Sequence, residues 1–251
     1  MEHVIDPIKT GKRTKAIGIL FYGPPGTGKT LYAKSIAQEL NRPLIILNPS
    51  HFLVEGFGGI VRKATEIVEK LKYLENVVVL FDEMDELIRS RAIKGEYETR
   101  LFTTSMLPML SDLHDKDNFV YICNTNNYKN IDEATIRPGR FDITIFIGPP
   151  HIDEILKMIR EHLEKLEIGD EKKLIYYDIF EKNFKDELKD LFYHDILDLM
   201  TETKKIICEP LENEKFITEL SNIVQNYSKH SKAELKKYDH GIKESTIHFS
   251  L

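Results

Sequence analysis

Gly23-Pro-Pro-Gly-Thr-Gly-Lys-Thr30 lies between an apolar run, 16–22, and a segment of helical character that continues from Leu31. In a strand–loop–helix setting, glycines let the backbone take left-handed torsions. The loop N–H groups then converge at a helix N-terminus, where the dipole also favours negative charge. Such a loop is a cradle for phosphate. Lys29 is placed to reach the β- and γ-phosphates of a nucleotide, and the Thr30 hydroxyl to ligate Mg²⁺. The binding segment is expected to comprise Gly23, Pro24, Pro25, Gly26, Thr27, Gly28, Lys29, Thr30 and Leu31.

Outward from the loop, strand-like runs recur at 17–22, 44–47, 77–81, 119–123 and 143–147, with helix-like runs at 29–40, 60–74 and 98–113. Strands alternating with helices of this length predict an α/β fold, a parallel sheet covered by helices on both faces. After Gly148-Pro-Pro150 the pattern changes to helical stretches rich in Glu, Lys and Leu, and Ile152, Ile155, Leu156, Ile159, Leu163 and Leu166 mark one helix face. The chain thus reads as a linker over 1–15 without clear periodicity, an α/β nucleotide-binding domain over 16–149 and a small all-α domain over 150–251.

The run 77–81 ends in Asp82 and Glu83. A carboxylate at a strand tip can hold Mg²⁺, commonly through water, opposite Thr30. Glu83 is then placed to orient and deprotonate a water that attacks the γ-phosphate, while Asp85 and Glu86 read as ordinary acidic surface. The next run leads into Asn124-Thr-Asn126-Asn127, where an amide at the end of a buried strand can bond the γ-phosphate or the attacking water. Arg137 and Arg140 lie three apart across a Pro-Gly turn. Guanidinium groups suit spreading phosphoryl charge because they are planar, ionised and bidentate; from composition alone, these two serve equally as salt-bridge partners.

GPPGTGKT, VVVLFDE, the Thr125-Asn126 pair and IRPGRFD, in this order and spacing over roughly residues 16–240, resemble an AAA+ ATPase of the classical AAA branch. IRPGRFD is the most discriminating element. The resemblance implies that Asn126 is the sensor-1 residue, with Asn124 and Asn127 close by. It also implies that Arg137 and Arg140 are arginine fingers reaching the nucleotide of a neighbouring subunit, so that the site is complete only in a ring, commonly a hexamer. The implied function is ATP hydrolysis coupled to remodelling of a protein substrate. The alternative is an ATP-gated oligomerising scaffold with slow hydrolysis. In the helical half, 193–199 resembles the family's Gly-Ala-Asp segment, with Asp195 kept and Tyr193-His194 in place of the small pair. His194 then either contacts adenine or ribose or lies on a helix surface. Phe57, in Glu55-Gly-Phe-Gly-Gly59, either grips substrate as a pore-loop residue or sits in a hinge.

Composition narrows the partners. Among 251 residues the formal net charge is −6, so no general basic surface recruits nucleic acid or anionic membrane, and a nucleic-acid remodeller is disfavoured. No apolar run approaches the roughly 20 residues needed to span a bilayer. Two cysteines, Cys123 and Cys208, form neither a framework nor a metal-ligand spacing and are expected as buried thiols. A soluble, cytoplasmic setting is the expectation.

Overall fold

A computed structural model of the chain describes residues 2–83, 106, 108–126, 139–207 and 213–238. Arg137, Asn127, Asp85, Glu86, Cys208 and most of the helix expected at 98–113 lie outside the described residues. The chain forms two compact units, one of Met1–Gly23 with Lys29–Phe146, the other of Pro24–Gly28 with Ile147–Leu251. The tip of the glycine-rich loop therefore groups with the helical unit, and the division runs between Phe146 and Ile147.

The first unit carries five strands, β1 (Ile17–Tyr22), β2 (Leu44–Leu47), β3 (Val77–Phe81), β4 (Phe119–Thr125) and β5 (Ile143–Phe146). They form one sheet in the order β2-β3-β4-β1-β5, and every pairing is parallel. Every residue of β1 and β3 is buried, as strands covered on both faces must be. Alternate side chains divide between the two covers. Leu20, Val77, Val79, Phe81, Phe119 and Tyr121 pack in one cluster with Ile60, Ala64, Val68 and Leu71 of the helix Ile60–Leu71, and with Leu110 and Leu113 of a helical stretch at 108–114. On the other face, Phe21 meets Tyr32 of the helix Lys29–Glu39 edge-on, with ring centroids 6.5 Å apart. Cys123 is half-buried on β4 rather than fully enclosed.

The N-terminal segment departs from the expected linker. Glu2–Lys9 is a helix, with Ile5 and Ile8 buried and Lys9 paired to Glu39 at 2.8 Å. Met1, Val4, Ile5 and Ile8 keep a helical spacing, but over two turns interrupted by Pro7 the pattern was too short to read, and burial of Ile5 and Ile8 orders the segment.

The second unit contains helices Ile152–Glu164, Asp170–Asn183, Lys185–Leu188, Tyr193–Ile207 and Asn213–Leu235 around one apolar core. Ile155, Leu156, Ile159, Leu163 and Leu166 are buried in it and Ile152 packs at its edge. Asn213–Leu235 is one helix of 23 residues, although the sequence pattern over it divides into two helical stretches, 216–226 and 232–238. The polar interruption is satisfied internally: Ser231 is fully buried, and its hydroxyl donates to Asp195 Oδ2 at 2.7 Å. Asp195 Oδ2 also accepts the Phe192 N–H at 3.1 Å. That contact supplies one half of a capping box, the third helical residue reaching back to the residue before the helix. Asp195→Ala leaves both donors unpaired in a buried setting and is expected to cost about 1–3 kcal/mol of stability, whereas Asp195→Asn keeps an acceptor and loses less. Thermal unfolding of the three proteins checks this, and equal midpoints would contradict it.

Candidate active site

Parallel pairing brings the carboxyl ends of β3, β4 and β1 side by side on one edge of the sheet. This is the edge at which open α/β sheets bind ligands. The register is set by Phe81 opposite Cys123, Phe21 opposite Asn124 and Tyr22 opposite Thr125. Gly23, the first residue past β1, donates its N–H to the Thr125 carbonyl at 3.3 Å, and Asp82, the first past β3, donates to the Leu47 carbonyl at 2.8 Å. Asn126 follows β4 directly.

The loop itself turns on Gly26 and Gly28, with φ of +79° and +89°, torsions that strain any residue bearing a side chain. Gly26 also has a close neighbour, since a Cβ there would come 3.0 Å from the His194 Cβ. The His194 N–H donates to the Gly26 carbonyl at 3.0 Å, while the His194 imidazole lies 3.1 Å from Asp198 and is largely exposed. Thr27 is buried and its hydroxyl donates to the Pro24 carbonyl at 3.0 Å. Lys29 and Thr30 open the helix Lys29–Glu39, with Leu31 in its first turn. The first N–H groups of a helix have no partner within it, the arrangement that suits an anion. Lys29 is only 8% exposed, and its ammonium donates to the Gly23 carbonyl at 2.9 Å.

Residues far apart in sequence meet beside that helix start. The Thr30 hydroxyl donates to Asp82 Oδ2 at 2.7 Å, and Asn124 Nδ2 donates to Asp82 Oδ1 at 2.9 Å. One hydroxyl and one carboxylate at this distance are hard oxygen donors. They fit Mg²⁺, which takes one or two protein oxygens and keeps the rest of its shell from water and phosphate. No cluster of three or more His, Cys, Asp or Glu able to cage a metal occurs among the described residues. Glu83 adopts φ of +55°, a left-handed conformation that costs a residue with a side chain on the order of 1–3 kcal/mol. Backbone strain at the expected catalytic carboxylate is held in place by the strand before it.

Arg140 belongs to a second cluster, at the opposite end of β1. The Tyr121 hydroxyl donates to the Arg140 carbonyl. Asp142 makes two bonds to the Gly18 backbone, its side-chain Oδ2 accepting the Gly18 N–H at 2.9 Å and its own N–H donating to the Gly18 carbonyl at 2.8 Å. Its Oδ1 pairs with Arg13 at 3.0 Å. Burial first, then the Asp142 and Cys123 charges, push the Tyr121 phenol upward, so it remains a donor. Gly18 makes this possible, because a Cβ there would collide with the Arg140 carbonyl and come 2.5 Å from the Tyr121 hydroxyl. Gly18→Ala is therefore expected to destabilise the α/β unit by about 3 kcal/mol, the upper end of the usual overpacking cost. An unchanged denaturation midpoint would contradict that packing.

The spacing of the motifs led to Thr30 and Asp82, and these two do meet. It did not lead to Asn124 as the partner of Asp82, nor to Tyr121, Asp142 and Arg13 as the tether of the Arg140 segment. For Asn124 the available signal was an amide directly after an apolar run. For the tether it was the glycine near the start of β1, opposite a tyrosine.

Comparison with known proteins agrees with this geometry. Residues 19–149, just over half of the chain, match the family described as the ATPase family associated with various cellular activities (AAA). The chain is 34% identical over 177 residues to an ATP-dependent zinc metalloprotease FtsH of Lachnoclostridium phytofermentans, covering 67% of this chain and 31% of that protein. It is 30% identical over 188 residues to proteasome-activating nucleotidase 2 of Haloferax volcanii, covering 74% and 44%. It is 32% identical to a cell division cycle protein 48 homolog of Archaeoglobus fulgidus over 61% of this chain and 21% of that one. The chain thus spans less than half the length of these relatives. The crystal structure of the FIGL-1 AAA domain shares the fold, with a TM-score of 0.67 at 18% identity over 98% of this chain and 84% of that one. Among the described residues no helix is long and apolar enough to cross a membrane. The parallel sheet with its glycine-rich loop and Asp-Glu strand tip, together with the family match, place the chain in the AAA family of nucleotide-binding ATPases.

Proposed function

We propose that this chain is a Mg²⁺-dependent ATP hydrolase that assembles as a homo-oligomeric ring, a hexamer, and couples hydrolysis to remodelling of a protein substrate. The observation that carries this reading is the 2.7 Å bond between Thr30 and Asp82. It joins the last residue of the phosphate loop to the tip of the Asp-Glu strand, as a metal–nucleotide site requires.

In this mechanism the loop N–H groups from Gly23 to Thr30 bind the phosphates and Lys29 neutralises charge on the β- and γ-oxygens. Thr30 and Asp82 hold Mg²⁺, which when bound withdraws charge from the phosphate oxygens. Glu83 orients a water in line with the γ-phosphate and accepts its proton. Asn126 fixes the water or the γ-phosphate by hydrogen bonding. Arg137 and Arg140 act on the nucleotide of the neighbouring copy, where such fingers are worth about 10³–10⁵ in rate. The helical domain, 150–251, acts as a lid whose movement transmits nucleotide state. Protein as the substrate is supported by the relatives, among them proteins named as a protease and as a proteasome-activating nucleotidase. The two dispersed cysteines, which make no disulfide framework, support a cytoplasmic setting.

Mixing inactive variants tests the shared site. Arg140→Ala and Glu83→Gln are each expected to bind nucleotide and hydrolyse it poorly. A mixed ring juxtaposes an intact Glu83 with a neighbour's intact Arg140, so the mixture should regain part of the wild-type rate. A mixture no more active than its components would rule out action between subunits.

A further inference from the structure

Asn124 is a buried polar side chain at the carboxyl end of β4. It is 2% exposed and sits on β4 opposite Phe21 of β1. Its Nδ2 holds Asp82 Oδ1 at 2.9 Å, while its Oδ1, also buried, has no hydrogen-bond donor among the described residues. For stability the two facts oppose each other. The bond to a carboxylate and the buried acceptor left unpaired are of similar size and opposite sign, so an apolar side chain of the same volume would serve the sheet about as well.

What an apolar side chain cannot do is fix the rotation of Asp82. The carboxylate is gripped at both oxygens, Oδ1 by Asn124 and Oδ2 by the Thr30 hydroxyl at 2.7 Å. A cation that takes a lone pair of the Thr30 oxygen would leave its proton free to donate to Oδ2, but would draw that hydroxyl into its own shell, so the Thr30 grip alone does not set the carboxylate. The Asn124 grip on Oδ1 is compatible with loading and persists. The unpaired Asn124 Oδ1 is, in addition, an acceptor suited to a water that enters with the cation.

We infer that Asn124 is a positioning residue for the Asp82 carboxylate, holding it in the orientation that receives the divalent cation accompanying the nucleotide. The inference rests on the metal–nucleotide reading of Thr30 and Asp82 and assigns a residue that the sequence motifs leave aside. Groups that orient a metal ligand in this way typically matter about 10–100-fold in metal affinity.

The test measures binding of ADP by calorimetry across a Mg²⁺ titration, in wild type, Asn124→Ala and the volume-keeping Asn124→Leu, with thermal unfolding of the nucleotide-free proteins alongside. The Mg²⁺ midpoint is expected to rise about 10–100-fold in both variants, with ADP affinity in EDTA and the unfolding midpoint close to wild type. A Mg²⁺ midpoint unchanged in the variants would overturn the assignment. So would loss of folding in both, which would give Asn124 to the sheet alone. If wild-type binding of ADP is indifferent to Mg²⁺, the metal reading of Thr30 and Asp82 is what fails.

Discussion

Lys29→Ala is expected to abolish nucleotide binding at concentrations that saturate the wild type. The side chain is buried at the start of the helix Lys29–Glu39, and its ammonium is already held by the Gly23 carbonyl at 2.9 Å. The cation is thus preorganised at the loop, and little ordering remains to be done when phosphate arrives. Each bond it makes to a charged oxygen is worth about 1.5–3 kcal/mol, so losing contacts to two phosphates lowers affinity by at least about a hundredfold. Alanine also leaves space in a buried position. Lys29→Met separates the two effects, because it keeps the stem and removes only the charge. Both variants should lose binding in calorimetry while Lys29→Met unfolds close to the wild-type temperature. Tight binding by Lys29→Met would remove the phosphate-loop assignment.

Glu83→Gln should separate binding from chemistry. Glutamine has nearly the shape of glutamate and carries the same strained backbone at φ +55°, so the loop after β3 should be undisturbed. What it cannot do is accept a proton from water. Loss of a positioned general base typically lowers the rate by about 10²–10⁴, and steady-state hydrolysis should fall by that much with nucleotide affinity retained. A rate near wild type would show that Glu83 is not the base. The same variant also decides between a remodelling enzyme and a nucleotide-gated scaffold. If Glu83→Gln assembles with ATP and keeps the biological output without hydrolysis, the scaffold account replaces the remodelling one.

The parts of the fold that were legible are those where burial imposes a simple period. β1, β2 and β3 occupy the runs expected of them, because short apolar runs bounded by polar residues have few alternatives in a parallel sheet. β4 runs two residues further than its apolar core suggests, through Asn124 and Thr125. Pairing with Phe21 and Tyr22 supplies the backbone partners that make a polar strand end worthwhile. The contact of Asn124 with Asp82 was not visible beforehand, because an amide at the end of this strand was read toward the γ-phosphate or the attacking water and not toward the neighbouring strand tip. The N-terminal helix was illegible for another reason. Met1, Val4, Ile5 and Ile8 give only two turns of helical spacing, broken by Pro7, and what orders Ile5 and Ile8 is burial in the α/β unit. Asp142 was legible as a motif residue and illegible as a tether. Its partners Gly18 and Arg13 come from the other end of the unit, and only the pairing of β1 with β5 brings them together.

The central claim is that the catalytic site is shared between copies of the chain, and ATPase rate per subunit as a function of protein concentration tests it most directly. Sedimentation at each concentration should follow the size of the species present. The account predicts a specific activity that climbs with concentration as a hexamer-sized species appears and levels off once assembly is complete. A constant specific activity from a species that stays monomeric would contradict it.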